Sequence, residues 1–169
     1  MTKSEINRHI ITTLKSLCFL FSVGATSNYL CFSGNVNNNN LSLTGWSGVL
    51  QSPLRDSSYP PDLSCEWLIT VPEWKIVKLS FDSFDLPSSG WGQCNEDYVE
   101  ILDGKFNSSL SKGKFCGYNP GDMRSTGRYM RVRFKSDSDS TYSSYSGFKA
   151  SFIAEDGPGK SINGRNTTI

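Results

Sequence analysis

The chain has 169 residues, enough for one domain with a sizeable core but too few for two such domains. Its formal net charge of +1 comes from 17 basic and 16 acidic residues without a basic tract, and this balance indicates neither a nucleic-acid partner nor a membrane surface. Frequent Ser, Gly and Asn, scarce Ala and plentiful aromatic residues favour a β-rich fold with many turns.

The first segment, residues 1–27, has the layout of a secretory signal peptide. Three basic residues precede an apolar run at 17–23, and small residues follow it at 24–27. The apolar run is too short to span a bilayer, so no membrane span is expected. We predict that residues 1–27 direct secretion and are removed; a buried strand or a spurious extension of the gene is the alternative.

Removal of this segment would leave an even number of cysteines, because Cys18 lies within it. The remaining four are Cys31, Cys65, Cys94 and Cys116. An even number is typical of a chain that forms disulfides, here two of them, in an oxidising compartment. The spacing matches no CxxC pattern, so a zinc site is not expected. From the residues alone, all three pairings of four cysteines stay open.

Three sequons for N-glycosylation are consistent with passage through the secretory pathway. Their acceptor residues are Asn40, Asn107 and Asn166. Such tripeptides often arise by chance, so an unused surface sequon is the alternative at each position. Together with the signal-like segment, they predict a secreted, extracellular glycoprotein.

The next part of the chain contains a loop and then a series of strands. A polar stretch of low complexity, SGNVNNNNLSLTG at 33–45, is interpreted as the loop. Five later segments alternate apolar and polar residues with a period of two: CEWLITV at 65–71, KIVKLSF at 75–81, DYVEILD at 97–103, RYMRVRF at 128–134 and GFKASFIA at 147–154. Such alternation is typical of antiparallel sheets with one wet face, and it predicts an all-β sandwich of two packed sheets.

Residues needed for catalysis are scarce. The only histidine, His9, lies in the signal-like segment, so the mature chain would have no base for a Ser-His-Asp or Cys-His site and no HExxH zinc site. Paired carboxylates remain, notably in CNEDYVEILDG at 94–104, but acidic residues in such loops are far more often solvated charge than an acid/base pair. We therefore expect a protein that is not an enzyme.

Seven segments follow one another in a characteristic order along the chain: SP with YP at 52–53 and 59–60, CEWLITVP at 65–72, VKLSFDSFDL at 77–86, CNEDYVEILDG at 94–104, FCG at 115–117, VRFKSDSD at 132–139 and SGFKASF at 146–152. Together they resemble the CUB domain, an extracellular module. The resemblance covers about residues 31–155, and residues 156–169 are expected to form a flexible tail or linker. It implies an antiparallel jelly-roll β-sandwich with two disulfides, Cys31–Cys65 and Cys94–Cys116, each worth roughly 3–4 kcal/mol in the chain-entropy account.

Many CUB domains hold a calcium ion at one end of the sandwich, and the resemblance implies where its ligands would lie. Tyr59, Asp97 and Asp137 match the family's pattern, whereas Pro87 stands where the family has Glu. Loss of one carboxylate lowers both the ligand number and the charge, so calcium affinity should fall. Two interpretations stay open: a calcium site, or carboxylates that accept backbone hydrogen bonds in turns. The candidate substitutes for the missing Glu are Asp85, Glu96 and Asp139.

The resemblance implies a secreted, non-enzymatic module that binds another extracellular protein through the loops near Tyr59, Trp91, Asp97 and Asp137. A Lys or Arg of the partner would be drawn to these carboxylates. Trp91 lies in a Gly-rich loop and is expected to be an exposed contact residue, whereas Trp67 is expected in the core. Two alternatives are an accessory domain of a larger secreted protease, astacin-like or complement-type, and a glycan binder in the manner of the spermadhesins.

Overall fold

The computed structural model describes residues 41–54, 57–88, 93–138 and 144–157. Nine strands form within these ranges: β1 (Ser42–Thr44), β2 (Ser47–Gln51), β3 (Ser64–Thr70), β4 (Lys75–Asp85), β5 (Tyr98–Asp103), β6 (Leu110–Phe115), β7 (Met123–Arg124), β8 (Tyr129–Lys135) and β9 (Gly147–Asp156). One sheet has the order β1-β3-β8-β5-β6 and the other the order β2-β9-β4-β7. The predicted all-β fold with two sheets is confirmed, while the jelly-roll topology stays a prediction. The described part of the chain contains no helix long and apolar enough to cross a membrane.

The period-two alternation of the sequence decides which face of each sheet is buried. Every residue that the alternation places inward on the five predicted strands lies in the core: Trp67, Ile69, Val71, Val77, Leu79, Phe81, Val99, Ile101, Met130, Val132, Phe134, Phe148, Ala150 and Phe152. The ring of Phe148 meets the rings of Trp67, Phe134 and Phe81 edge-on, with centroids 5.7, 5.5 and 5.9 Å away. Such edge contacts add roughly 0.5–1.5 kcal/mol each beyond the burial of area, so Phe148 joins the two sheets.

Four strands were not predicted, and each is short, exposed or irregular. β1 lies inside the stretch interpreted as a loop, so that interpretation is wrong for Ser42–Thr44, where Leu43 is buried. β1 also pairs parallel to β3, so the pairing is not antiparallel throughout. β6 forms the edge of its sheet with mostly exposed residues and therefore shows no apolar alternation.

The predicted disulfide Cys94–Cys116 is present, with a Cα–Cα distance of 5.6 Å. It ties the segment before β5 to the end of β6. Cys65 is disulfide-bonded as well, but its predicted partner Cys31 lies outside the described residues, so that pairing stays a prediction. Residues 1–27 and most of the predicted tail also lie outside the described residues, and β9 ends at Asp156.

Gly147 at the start of β9 provides a test of the packing between β9 and the β2–β3 loop. Its φ is +76°, and an added Cβ would lie 2.0 Å from Ser52 Oγ and 3.2 Å from Tyr59 Cδ1. We expect Gly147→Ala to lower the free energy of unfolding by about 2–5 kcal/mol, because backbone strain and overpacking add. Urea unfolding measures this loss.

Gly121→Ala is the matched control, because Gly121 has a φ of +78° with nothing within 4 Å of the added Cβ. Backbone strain alone should then cost about 1–2 kcal/mol. Equal losses in the two variants would contradict the close packing of Gly147 against Ser52 and Tyr59.

Candidate functional site

Four loops meet at one end of the sandwich, which we call the loop end. They connect β2 to β3 (52–63), β4 to β5 (86–97), β6 to β7 (116–122) and β8 to β9 (136–146). Loops that a rigid scaffold positions are the usual place for binding residues. The predicted site residues Tyr59, Asp97 and Asp137 all lie here, as does Pro87 at the position of the expected Glu, whereas Trp91 lies outside the described residues.

The carboxylate of Asp97 links three of these loops. Asp97 precedes β5 and is only 4% exposed. Its Oδ2 accepts a hydrogen bond from the Tyr59 hydroxyl at 2.5 Å, and its Oδ1 accepts one from the Asp137 backbone N–H at 2.8 Å. The Asp137 carbonyl accepts in turn from the Asp62 N–H at 2.7 Å. A buried carboxylate requires such donors to offset its lost hydration, so the position of Asp97 fixes the three loops relative to one another.

Packing and a backbone hydrogen bond hold Tyr59 in the position from which its hydroxyl donates to Asp97. Its ring is buried and packs edge-on against Phe134 with centroids 5.2 Å apart, and its backbone N–H donates to the Tyr145 carbonyl at 3.4 Å. Burial raises the pKa of the Tyr59 hydroxyl well above its ordinary value, and the hydrogen bond to Asp97 and the charge of Asp85 raise it further. Tyr59 therefore stays a neutral hydrogen-bond donor at neutral pH.

Two serines that the sequence did not single out complete the cross-links. Ser136 Oγ accepts from the Leu63 N–H at 2.9 Å and donates to the Pro60 carbonyl at 3.0 Å. Ser146 donates from its N–H and its hydroxyl to Asp85 Oδ2, at 2.8 and 2.9 Å. Serines are frequent throughout this chain, so only burial, as for Ser136, distinguishes such a residue from a solvated one.

The loop end is acidic. The described residues of the loop end include six carboxylates: Asp62, Glu96, Asp97, Asp122 and Asp137 in the loops, and Asp85 at the end of β4. Asp122 pairs with Lys78 of β4 at 2.8 Å, and the described parts of the loops contain no lysine or arginine. Acidic residues gathered at one end of a domain attract a partner of the opposite charge.

The described residues supply only part of the oxygen set that calcium requires. Calcium takes six to eight oxygen ligands, but Pro87 is buried and supplies no side-chain oxygen. No group of three or more His, Cys, Asp or Glu side chains arranged to hold a metal occurs in the described ranges. Each oxygen of Asp97 accepts a hydrogen bond from the protein. Of the candidate substitutes, Asp85 accepts from Ser146, Glu96 is half-buried directly before Asp97, and Asp139 lies outside the described residues.

The seven sequence segments and the two-sheet fold match a known domain. The family model of the CUB domain matches residues 38–152. The chain belongs to the CUB family. It is 38% identical over 143 residues to a bone morphogenetic protein 1 homolog of Strongylocentrotus purpuratus, a match that covers 84% of this chain. It is also 38% identical over 119 residues to procollagen C-endopeptidase enhancer 2 of Mus musculus, which covers 70% of this chain.

The CUB match extends to solved structures. The crystal structure of the MASP-1 CUB2 domain bound to Ca²⁺ is 27% identical, with a TM-score of 0.59, and the match covers 70% of this chain and 100% of that one. In contrast, the chain spans only 21% of the sea-urchin relative's length and 27% of the mouse relative's. The likeness therefore concerns a CUB domain and not the whole of either relative.

The predicted glycosylation residues and Trp67 do not belong to the loop end. Asn107 is exposed in the β5–β6 loop, at the end of the sandwich opposite the loop end. Asn40 and Asn166 lie outside the described residues. Trp67 is fully buried, as expected.

Replacement of Asp97 tests its role as a cross-link. We expect Asp97→Ala to lower the free energy of unfolding by about 2–4 kcal/mol, because the Tyr59 hydroxyl and the Asp137 N–H would lose their buried acceptor. The control is Asp82→Ala: Asp82 is exposed, and its Oδ1 accepts from Ser151 Oγ at 3.2 Å. That change should stay within about 0.5 kcal/mol. If urea unfolding gave similar losses for both, Asp97 would not be the cross-link.

Proposed function

We propose that this chain is a secreted, non-enzymatic CUB module that binds another extracellular protein through the loop end. The observation that carries the proposal is the pair of hydrogen bonds by which Asp97 holds Tyr59 and Asp137. Loops fixed before binding lose less conformational entropy when a partner docks. The signal-like segment, the sequons and the Cys94–Cys116 disulfide support an extracellular setting.

The acidic character of the loop end favours a partner that presents Lys or Arg. Asp97 is too deeply buried to touch a partner, so it acts as a positioning residue. Asp137, Glu96 and Asp85 are more accessible and would meet the partner's cation. Tyr118, which is 89% exposed in the β6–β7 loop, adds an aromatic contact residue of the kind enriched in binding hot spots. We retain Trp91 as a further proposed contact.

Binding at this end is proposed to be independent of calcium. MASP-1 CUB2 is bound to Ca²⁺, whereas this chain has the buried Pro87 where the family pattern has Glu, and each carboxylate oxygen of Asp97 accepts a hydrogen bond from the protein. The hydrogen bonds then do the ordering that a metal ion would do.

A second candidate is an accessory role beside a secreted protease. It is favoured by the likeness to procollagen C-endopeptidase enhancer 2 and by the small share of its relatives' length that this chain spans. The transcript beyond Ile169 distinguishes the two, because an HExxH segment there would join this module to an astacin-like protease. The glycan-binding alternative predicts retention on a glycan array that Trp91→Ala abolishes.

The absence of a calcium contribution can be measured by thermal unfolding. We expect the melting temperature to be the same in 1 mM Ca²⁺ and in EDTA. A native-state site with a Kd of about 10 μM would add about 2.7 kcal/mol at 1 mM, which corresponds to several degrees for a domain of this size. A rise of that size with calcium would contradict the proposal.

The loop end itself is tested by a screen of extracellular protein ectodomains against the immobilised chain in EDTA. Tyr118→Ala and Asp137→Ala should each weaken a specific partner by about tenfold or more, since hot-spot truncation costs roughly 2 kcal/mol. Trp74→Ala is the matched control, because Trp74 is 77% exposed at the opposite end of the sandwich. Equal weakening by Trp74→Ala, or none by the loop-end variants, would refute this placement.

A further inference from the structure

The solvent face of the five-stranded sheet is basic, although the whole chain is almost neutral. β8 buries Met130, Val132 and Phe134 and turns the alternate residues Tyr129, Arg131, Arg133 and Lys135 outward. Residues two apart on a strand are separated by about 6.5–7 Å. The strand therefore presents three cations in a row on the solvent side of the sheet.

Neighbouring strands extend this row into an array, which we call the basic face. Arg133 pairs in register with Glu100 of β5, which pairs with Lys114 of β6. Lys114 Nζ lies 4.1 Å from the centroid of the Tyr98 ring, and Lys105 Nζ lies 5.7 Å from that of Tyr129. In the described chain, the cations of the basic face are Lys105, Lys114, Arg131, Arg133 and Lys135, and its anions are Glu66 and Glu100.

The two carboxylates of the basic face pair with only two of its five cations. Glu66 binds both Arg131 and Arg133, and its Oε2 lies 2.7 Å from Arg133 Nε. Glu100 Oε2 also lies 3.5 Å from Arg133 Nη1. The other three cations, Lys105, Lys114 and Lys135, have no carboxylate within 4.0 Å in the described ranges.

The outer face of the four-stranded sheet provides the comparison. In the described residues it carries three cations, Lys78, Arg124 and Lys149, and three anions, Asp82, Asp122 and Glu155. That face is balanced, so the excess of three positive charges is particular to the five-stranded sheet. Basic and acidic residues are mixed along the sequence, but the fold places an excess of basic residues on the outer face of one sheet.

We propose that the basic face binds a sulfated polysaccharide. The surface is an array of positive charges spaced along and across the strands, which suits a linear polymer that carries an anionic group every few ångströms. Protein partners usually require an apolar core in the interface. Among the exposed large hydrophobic side chains of the described residues, only Leu110 lies on a strand of this sheet, at the start of its edge strand β6. The basic face is distinct from the acidic loop end, so the two surfaces can be tested separately.

Salt elution from immobilised heparin, with an affinity measurement at about 0.15 M salt, tests the proposal. We expect the double variant Lys114→Gln/Lys135→Gln to bind heparin at least tenfold more weakly and to show a shallower salt dependence, because two ionic contacts are lost. The matched control, Lys78→Gln/Lys149→Gln, removes the same charge from the other sheet and should change affinity less than twofold. Equal melting temperatures confirm that both variants fold.

Two further measurements identify the class of ligand. Desulfated heparin should bind at least tenfold more weakly than heparin, and poly-glutamate, a probe for acidic protein partners, should bind more weakly than heparin. The protein is compared before and after enzymatic removal of any N-glycan, because Asn107 Oδ1, in a predicted sequon, accepts from Arg133 Nη2 at 2.9 Å. Failure of the wild type to bind heparin in both forms, equal weakening by the two variants, or tighter binding of poly-glutamate would each overturn the proposal.

Discussion

The hydrogen bonds to the carboxylate of Asp97 are the interaction on which the loop end depends. The strands need no such help, because the aromatic and aliphatic residues between the sheets determine their packing. Loops lack the regular backbone hydrogen bonds of a sheet. Asp97 supplies hydrogen-bond acceptors for Tyr59 and Asp137, which lie in two other loops. Since Asp97 is buried, any loss of these donors would leave an uncompensated charge. The two hydrogen bonds therefore tie Tyr59 and Asp137 to the start of β5.

The proposed independence from calcium is linked to one residue in the β4–β5 loop. A glutamate at position 87, as the family pattern has, would supply a carboxylate ligand for calcium. The buried Pro87 supplies no side-chain oxygen.

Charge is distributed unevenly over the sandwich. The loop end is acidic, and the outer face of the five-stranded sheet has an excess of cations. These surfaces would attract partners of opposite charge, so a basic protein and a sulfated chain need not compete. If both proposals hold, the module joins an extracellular protein to a polyanionic matrix.

Much of the fold was predictable because the core strands alternate strictly. Strand β3 has Trp67 and Ile69 inward, and its period of two follows directly from burial of one face. Strand β1 has a single buried residue, Leu43, which is too little for a period to be seen. Its parallel pairing with β3 is a long-range contact that no local pattern encodes.

The residues of the candidate site were predictable from the sequence, but the interactions that they make were not. Resemblance brought Tyr59, Asp97 and Asp137 together, and the structure places them in contact through Asp97. Whether these groups bind a metal or each other depends on side-chain geometry and burial, which a linear pattern does not contain. The basic face could not be predicted from the sequence for a similar reason, because the net charge does not show which cations lie on the same face of a sheet.

Hydrogen exchange at the Asp137 amide, followed by NMR in EDTA, tests the central claim most directly. This amide donates to Asp97 Oδ1, so it should be strongly protected without calcium and should lose its protection in Asp97→Ala. An Asp137 amide that exchanges freely in EDTA and becomes protected only when calcium is added would contradict a loop end held by hydrogen bonds alone.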